Sequence, residues 1–218
     1  MLKASMSRSA LAAALPVVMA LLLSGVISFS YNKLLKDYRD AVDHTFEVIS
    51  TIDNALLRLQ DAETGQRGFI ITGDESYLAP FEAGRTVLSK ILSDLHVLVS
   101  DNADQQGRVA SLRELAESQL NELEDTIQAR KQEGFEPART KVLSSAGKET
   151  MDRIRSVAAE MRTAEGTLLE SRLSSARFAE RMMIVVAAIC VALSLAGRML
   201  AFLIRARIQE KTRVTESA

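Results

Sequence analysis

The side chains able to do chemistry in this sequence are few and widely separated. The 218 residues include two histidines, His44 and His96, and one cysteine, Cys190. This inventory excludes an intrachain disulfide framework and a zinc site built from clustered cysteines. Serines, threonines and carboxylates are frequent, but the spacings of a nucleophile elbow, a P-loop or a zinc protease do not occur. We therefore expect no enzymatic activity, no cofactor and no metal site.

The charge balance excludes a second class of function. The chain has 27 Lys and Arg residues against 28 Asp and Glu residues, a formal net charge of −1. A dedicated nucleic-acid binder normally carries a strong basic excess, so no nucleic-acid partner is expected.

Two segments are apolar enough to cross a membrane. Residues 10–30 contain a run of twenty residues, 10–29, without a charge, which is long enough to span a hydrocarbon core of about 30 Å. The competing interpretation is a signal peptide, but the run exceeds the usual h-region of about 7–15 residues and no clear cleavage site follows. Residues 182–204 form the second segment, with Arg198 as its one charge. Both are predicted to be transmembrane helices in contact with the lipid bilayer.

The flanking charges predict the orientation in the membrane. The N-terminal stub, residues 1–9, carries Lys3 and Arg8, and the tail, residues 205–218, carries four basic residues. Short basic ends stay on the cytoplasmic side, so both termini are predicted to be cytoplasmic and residues 31–181 to lie outside. Residues 31–181 hold 20 basic and 26 acidic side chains, and the remaining segments are net basic. This separation of charge agrees with the predicted topology.

The region between the two apolar segments predicts four helices. Its apolar residues recur in steps of three and four, as on helices packed along one face. The predicted helices cover residues 35–71, 74–100, about 104–134 and about 147–181, with a possible capping box from Thr72 to Glu75. Residues 134–147 form the longest connection, with room for one helical turn. Four helices with short links predict an all-α, up-down-up-down bundle whose first and last helices continue into the membrane.

Three motifs in this region resemble the CHASE3 domain family. They are DAETGQRGFIITGDESYL at residues 61–78, GKETMDRIR at 147–155 and EGTLLESR at 165–172. The resemblance implies an extracytoplasmic sensor domain of a bacterial receptor, in the inner membrane, signalling as a homodimer through coiled-coil helices. Family members are typically followed by a kinase, cyclase or chemotaxis-type output region. The sequence ends 14 residues after the second apolar segment, so we expect a separate cytoplasmic output protein.

The first motif places a charged pair and two glycines on one helix. Glu63 and Arg67 are four residues apart and can form an ion pair, while Gly65 and Gly68 permit close approach of another backbone. Counting along antiparallel helices brings further side chains to the height of Arg67; these are Tyr77, Glu149 and Asp152.

Two interpretations of this cluster remain open. A polar pocket with an arginine could bind an anionic ligand of unknown identity. Alternatively, the same charges form an interhelical salt bridge that fixes the register of the bundle. The remaining motif residues are assigned a structural or signalling role; they are Gly73, Glu165 and Arg172, and the last two are expected to pair with the first helix or with a second subunit.

The sequence as a whole predicts a two-pass membrane sensor that relays a stimulus by movement of its long helices. The alternatives are a structural or interaction protein that dimerises with full-length receptors without sensing, and a truncated fragment of a receptor.

Overall fold

The computed structural model describes residues 8–216, which form five α-helices and one 3-10 turn. No strand occurs in this range, so the predicted all-α class is confirmed. The predicted N-terminal stub, residues 1–9, lies outside the described residues except for its last two, as do residues 217 and 218 of the tail. The elements are α1 (Arg8–Thr72), the 3-10 turn (Glu75–Leu78), α2 (Ala79–Leu98), α3 (Ala103–Gln132), α4 (Phe135–Leu143) and α5 (Ala146–Glu216).

The chain divides into two units, and α1 and α5 contribute to both without an intervening loop. The bundle unit comprises Asp40–Ser171, and the terminal unit comprises Met1–Arg39 and Arg172–Ala218. Described apolar side chains of the terminal unit are largely exposed, for example Leu22, Phe29 and Leu193. Among the described residues, one helix is long and apolar enough to cross a membrane. Ala146–Met199 contains an 18-residue window with a mean hydropathy of 2.2, and none of the residues in that window is buried. The membrane helix predicted at residues 10–30 stays a prediction.

The turn after α1 is built differently from the predicted capping box. Gly73 ends the helix with a φ of +72°, and its N–H donates to the carbonyl of Phe69. Asp74, rather than Thr72, caps the following 3-10 turn, because its carboxylate accepts the N–H of Ser76 at 2.9 Å. The prediction of a Thr72–Glu75 capping box is therefore wrong: the short Asp side chain at Asp74 reaches a backbone donor two residues on.

The predicted connection over residues 134–147 contains a helix of its own. α4 runs over Phe135–Leu143 and begins after Gly134, which has a φ of +95°. Pro137 lies in the first turn, where its missing N–H costs no helical hydrogen bond. Ala138 is fully buried and anchors this helix. The short helix thus belongs to the packed structure of the bundle unit.

The core of the bundle unit consists of two apolar clusters. The first cluster contains Val48, Ile52, Ala55, Leu56, Leu59, Leu88, Leu92, Leu95, Val99, Val109, Leu112, Ala116, Met151, Ile154, Ala158 and Met161. The second contains Ala62, Phe69, Ile70, Leu78, Phe81, Leu123, Ile127, Ala129 and Ala138. Partly buried Leu120 packs against both clusters. Gln119, also on α3, is fully buried, and neither atom of its amide has a hydrogen-bond partner in the part of the chain that the structure describes.

Polar contacts between the helices of the bundle unit fix which residues face each other. Residues early in α2 contact residues late in α3, and residues early in α3 contact residues late in the bundle portion of α5. The contacts are Arg85–Glu124 at 2.9 Å between α2 and α3, Gln105–Glu165 at 2.8 Å between α3 and α5, and Asp53–Arg162 between α1 and α5.

Candidate functional site

The two glycines of the first motif lie against the segment that leads into α2. A Cβ atom at Gly65 would lie 2.6 Å from the backbone oxygen of Tyr77, and one at Gly68 would overlap the ring of the same tyrosine. Neither position can carry a side chain without movement of Tyr77. The predicted close approach of another backbone is found at Gly65, whereas Gly68 makes room for a side-chain ring.

Two basic residues at the end of α3 hold the turn after α1. The Nε of Arg130 donates to the carbonyl of Ile70 at 2.9 Å, which satisfies an acceptor at the end of α1. The guanidinium of Arg130 also lies 5.8 Å from the ring centroid of Phe135 on α4. A Cβ atom at Gly73 would lie 2.9 Å from this guanidinium, so the glycine permits both the left-handed turn and the arginine contact. Lys131 forms an ion pair with Glu75 at 3.1 Å.

Asp74 is the titratable group that this turn perturbs. Hydrogen bonds from the backbone N–H and the hydroxyl of Ser76 hold the pKa of the Asp74 carboxyl below its usual value of 3.8. The carboxylate form is therefore the one that stabilises the turn.

A groove of about 260 Å³ lies between the end of α1 and α4. We call it the α1–α4 groove. Its apolar side chains Ile71 and Leu143 are 74% and 64% exposed. Arg67 on α1 and Arg139 on α4 supply the charged groups of its lining. The full lining is Arg67, Ile70, Ile71, Phe135, Arg139, Val142 and Leu143.

The structure brings together some of the predicted ligand-binding residues. Arg67 forms the predicted ion pair with Glu63 at 2.5 Å and lines the α1–α4 groove, while Tyr77 packs on Gly68. Asp152 forms ion pairs with Lys148 and Arg155 of its own helix, and Glu149 is exposed near the start of α5. In the described residues, no hydrogen bond or ion pair joins Arg67 to Glu149 or Asp152. The pocket containing all five residues stays a prediction.

Glu165 of the third motif is buried in the bundle unit at 2% exposure. Its Oε1 accepts a hydrogen bond at 2.8 Å from Gln105, whose amide nitrogen also donates to the carbonyl of Met161 at 3.1 Å. The amide oxygen of Gln105 accepts a hydrogen bond from Arg108 at 3.2 Å. Gln105 thus links Arg108 on α3 to Glu165 on α5. Of the two expected partners of Glu165, the first helix is not the one found, because the donor lies on α3; pairing with a second subunit stays a prediction. Arg172 belongs to the terminal unit, where its side chain is partly exposed.

The residues of α4 were missed as candidate site residues because their segment was assigned to a connection. A signal was present: Phe135, Arg139, Val142 and Leu143 are spaced by four, three and one residues, which places them on one face of a helix. Pro137 near the start of this run was a further indication of a helix.

Comparison with known proteins agrees with this architecture. The family model of the CHASE3 domain matches residues 38–175. A crystal structure of the sensor domain of the histidine kinase HK9 from Rhodopseudomonas palustris is similar in fold, with a TM-score of 0.54 and 24% sequence identity. The match covers 57% of this chain and 98% of that domain. No curated protein matches the chain.

Proposed function

The chain belongs to the CHASE3 domain family, and from this membership we propose that it is a membrane-anchored sensor for signal transduction. In this proposal the bundle unit lies in the periplasm, and residues 10–30 and 182–204 cross the inner membrane with both termini in the cytoplasm. The four long helices of the bundle unit form an up-down-up-down arrangement, which the opposed contacts of α2, α3 and α5 support.

The observation that carries the proposal is the continuity of α1 and α5. Each helix contributes to the packed bundle unit and also to the terminal unit, where apolar side chains are exposed. A stimulus that shifts α1 against α5 in the bundle unit is transmitted along both helices, because no loop interrupts them. Packed helices switch between discrete arrangements, so sliding, rotation or tilting of one helix is the proposed signal.

We further propose that the protein acts as a homodimer. When two copies lie side by side, a separate cytoplasmic protein can detect a change in the relative position of their helices. The proposed cytoplasmic partner is a kinase, a cyclase or a chemotaxis-type protein. In this proposal the basic residues of 205–218 contact this partner or the anionic lipid headgroups of the cytoplasmic leaflet.

Cysteine labelling in intact cells tests the topology. Cys190 is first replaced by alanine, and single cysteines are then introduced at Ser144, in the bundle unit, and at Ser217, in the tail. A membrane-impermeant maleimide is expected to label Ser144→Cys in intact cells and Ser217→Cys only after permeabilisation. Equal labelling of both positions in intact cells contradicts the two-pass arrangement.

Helix insertions test the relay. The full chain is fused at its C-terminus to a histidine-kinase output region, and residues are inserted between Ser171 and Arg172. One inserted residue rotates the following helix by about 100°, whereas seven nearly restore its phase. We expect one residue to change kinase activity and seven to preserve it. Unchanged activity after both insertions favours the alternative of an interaction protein that does not sense.

A further inference from the structure

We propose that the α1–α4 groove binds a compact organic carboxylate, a molecule with one anionic group and a short aryl or alkyl portion. This proposal rests on the sensor function above and names the chemical class of its stimulus.

The size and lining of the groove limit the ligand to a compact molecule with an apolar portion. At about 260 Å³ the groove lies just below the range of about 300–1,000 Å³ that accommodates drug-sized ligands. Ile71, Phe135, Val142 and Leu143 are all exposed large apolar side chains, and together they make the floor and walls apolar. Covering them removes apolar surface from water, which favours a ligand with an apolar body.

The charged groups of the groove favour an anion. Its lining includes Arg67 and Arg139 and no acidic side chain. Each arginine forms one ion pair within its own helix, Arg67 with Glu63 and Arg139 with Glu136 at 3.2 Å, and both arginine side chains are more than half exposed. A guanidinium has five N–H donors, so each of these arginines keeps donors for a carboxylate in addition to its helical partner.

The position of the groove connects a bound ligand to both signalling helices. Its residues come from the end of α1 and from α4, and α4 lies between two residues with positive φ, Gly134 at +95° and Ser145 at +65°. Ser145 is the one non-glycine residue with positive φ among the described residues, a conformation that costs energy and is concentrated at functional positions. α5 begins at the next residue, Ala146. A ligand bridging Arg67 and Arg139 therefore ties α1 to the segment from which α5 starts.

Binding of phenylacetate to the full chain in lipid nanodiscs tests the proposal, with empty nanodiscs as the blank. Phenethylamine, which carries the opposite charge on a similar aryl group, is the chemical control. Saturation-transfer difference NMR measures binding to wild type, Arg67→Gln, Arg139→Gln and Arg155→Gln. Arg155 is the matched control, since like Arg139 it is exposed and pairs with an acidic residue three positions earlier on its own helix.

We expect saturable binding of phenylacetate, no binding of phenethylamine, and an affinity about three- to tenfold weaker for Arg67→Gln and Arg139→Gln, with Arg155→Gln unchanged. Absence of phenylacetate binding, equal binding of the amine, or equal loss in Arg155→Gln overturns the proposal. Helicity by circular dichroism confirms that each variant is folded. The insertion experiment separates the two proposals: if kinase activity follows helix phase while phenylacetate fails to bind, the ligand class is wrong and the sensor function stands.

Discussion

Replacing Gly65 by alanine tests the packing between α1 and the start of α2. Alanine in place of glycine inside a helix adds about 1 kcal/mol of stability when nothing opposes the new methyl group. At Gly65 that methyl would lie 2.6 Å from the backbone oxygen of Tyr77, and a backbone atom has no rotamer by which to move away. Overpacking of this kind costs about 1–3 kcal/mol, so the helical gain is cancelled or exceeded.

Gly166 supplies the matched control for this substitution. It is exposed within α5, and a Cβ atom there meets no other atom within 4 Å, so Gly166→Ala keeps the helical gain alone. The difference between the two variants isolates the steric cost of about 1–3 kcal/mol, which corresponds to about 2–4 °C in melting temperature per kcal/mol. Thermal unfolding of the full chain in micelles, followed by circular dichroism, measures both. Equal increases in melting temperature for Gly65→Ala and Gly166→Ala would refute the close contact.

Three other substitutions probe polar groups of the bundle unit. Gln119→Leu should raise the free energy of unfolding by about 1 kcal/mol because it removes a buried amide without partners. Gln105→Leu should lower the free energy of unfolding by about 1–3 kcal/mol because buried Glu165 loses its hydrogen-bond donor. Chemical unfolding measures both variants. A change of the same sign in Gln119→Leu and Gln105→Leu would contradict the different roles given to the two glutamines. Asp74→Asn should make the melting temperature less sensitive to acid. Because the pKa of Asp74 is lowered in the folded protein, its carboxylate stabilises the folded turn at neutral pH. This contribution is lost as the pH falls below 3.8 and through the folded-state pKa. Melts at pH about 7 and about 3 test this, and equal losses in both proteins would exclude a role for the Asp74 charge.

The helical part of the fold was predictable because its signal is periodic. Apolar steps such as Ile52, Leu56 and Leu59 mark a buried helix face, and all three are buried as the spacing indicates. The close backbone approach expected from two glycines within one helical turn is found at Gly65, while Gly68 accommodates the ring of Tyr77.

The remaining features depend on contacts that sequence spacing does not encode. Both Thr72 and Asp74 are good capping residues, and the left-handed turn at Gly73 decides in favour of Asp74. Glu165 was expected to pair with the first helix or with a second subunit, whereas its donor in the bundle unit is Gln105, sixty positions earlier on α3. α4 has nine residues, and a periodic run this short is weak evidence for a helix when Gly134 and Gly147 on either side of it favour a loop.

The division of the core into two apolar clusters has a consequence for hydrogen exchange. Cooperative opening units in proteins often follow such local packing, and the two clusters here are linked through partly buried Leu120 beside the unpartnered amide of Gln119. Because the second cluster contains fewer buried apolar side chains than the first, amide protons near Phe81 and Ile127 should exchange through a sub-global opening of lower free energy than those near Leu95 and Leu112. We therefore expect the end of the bundle unit that carries the α1–α4 groove to open and rearrange while the first cluster remains packed.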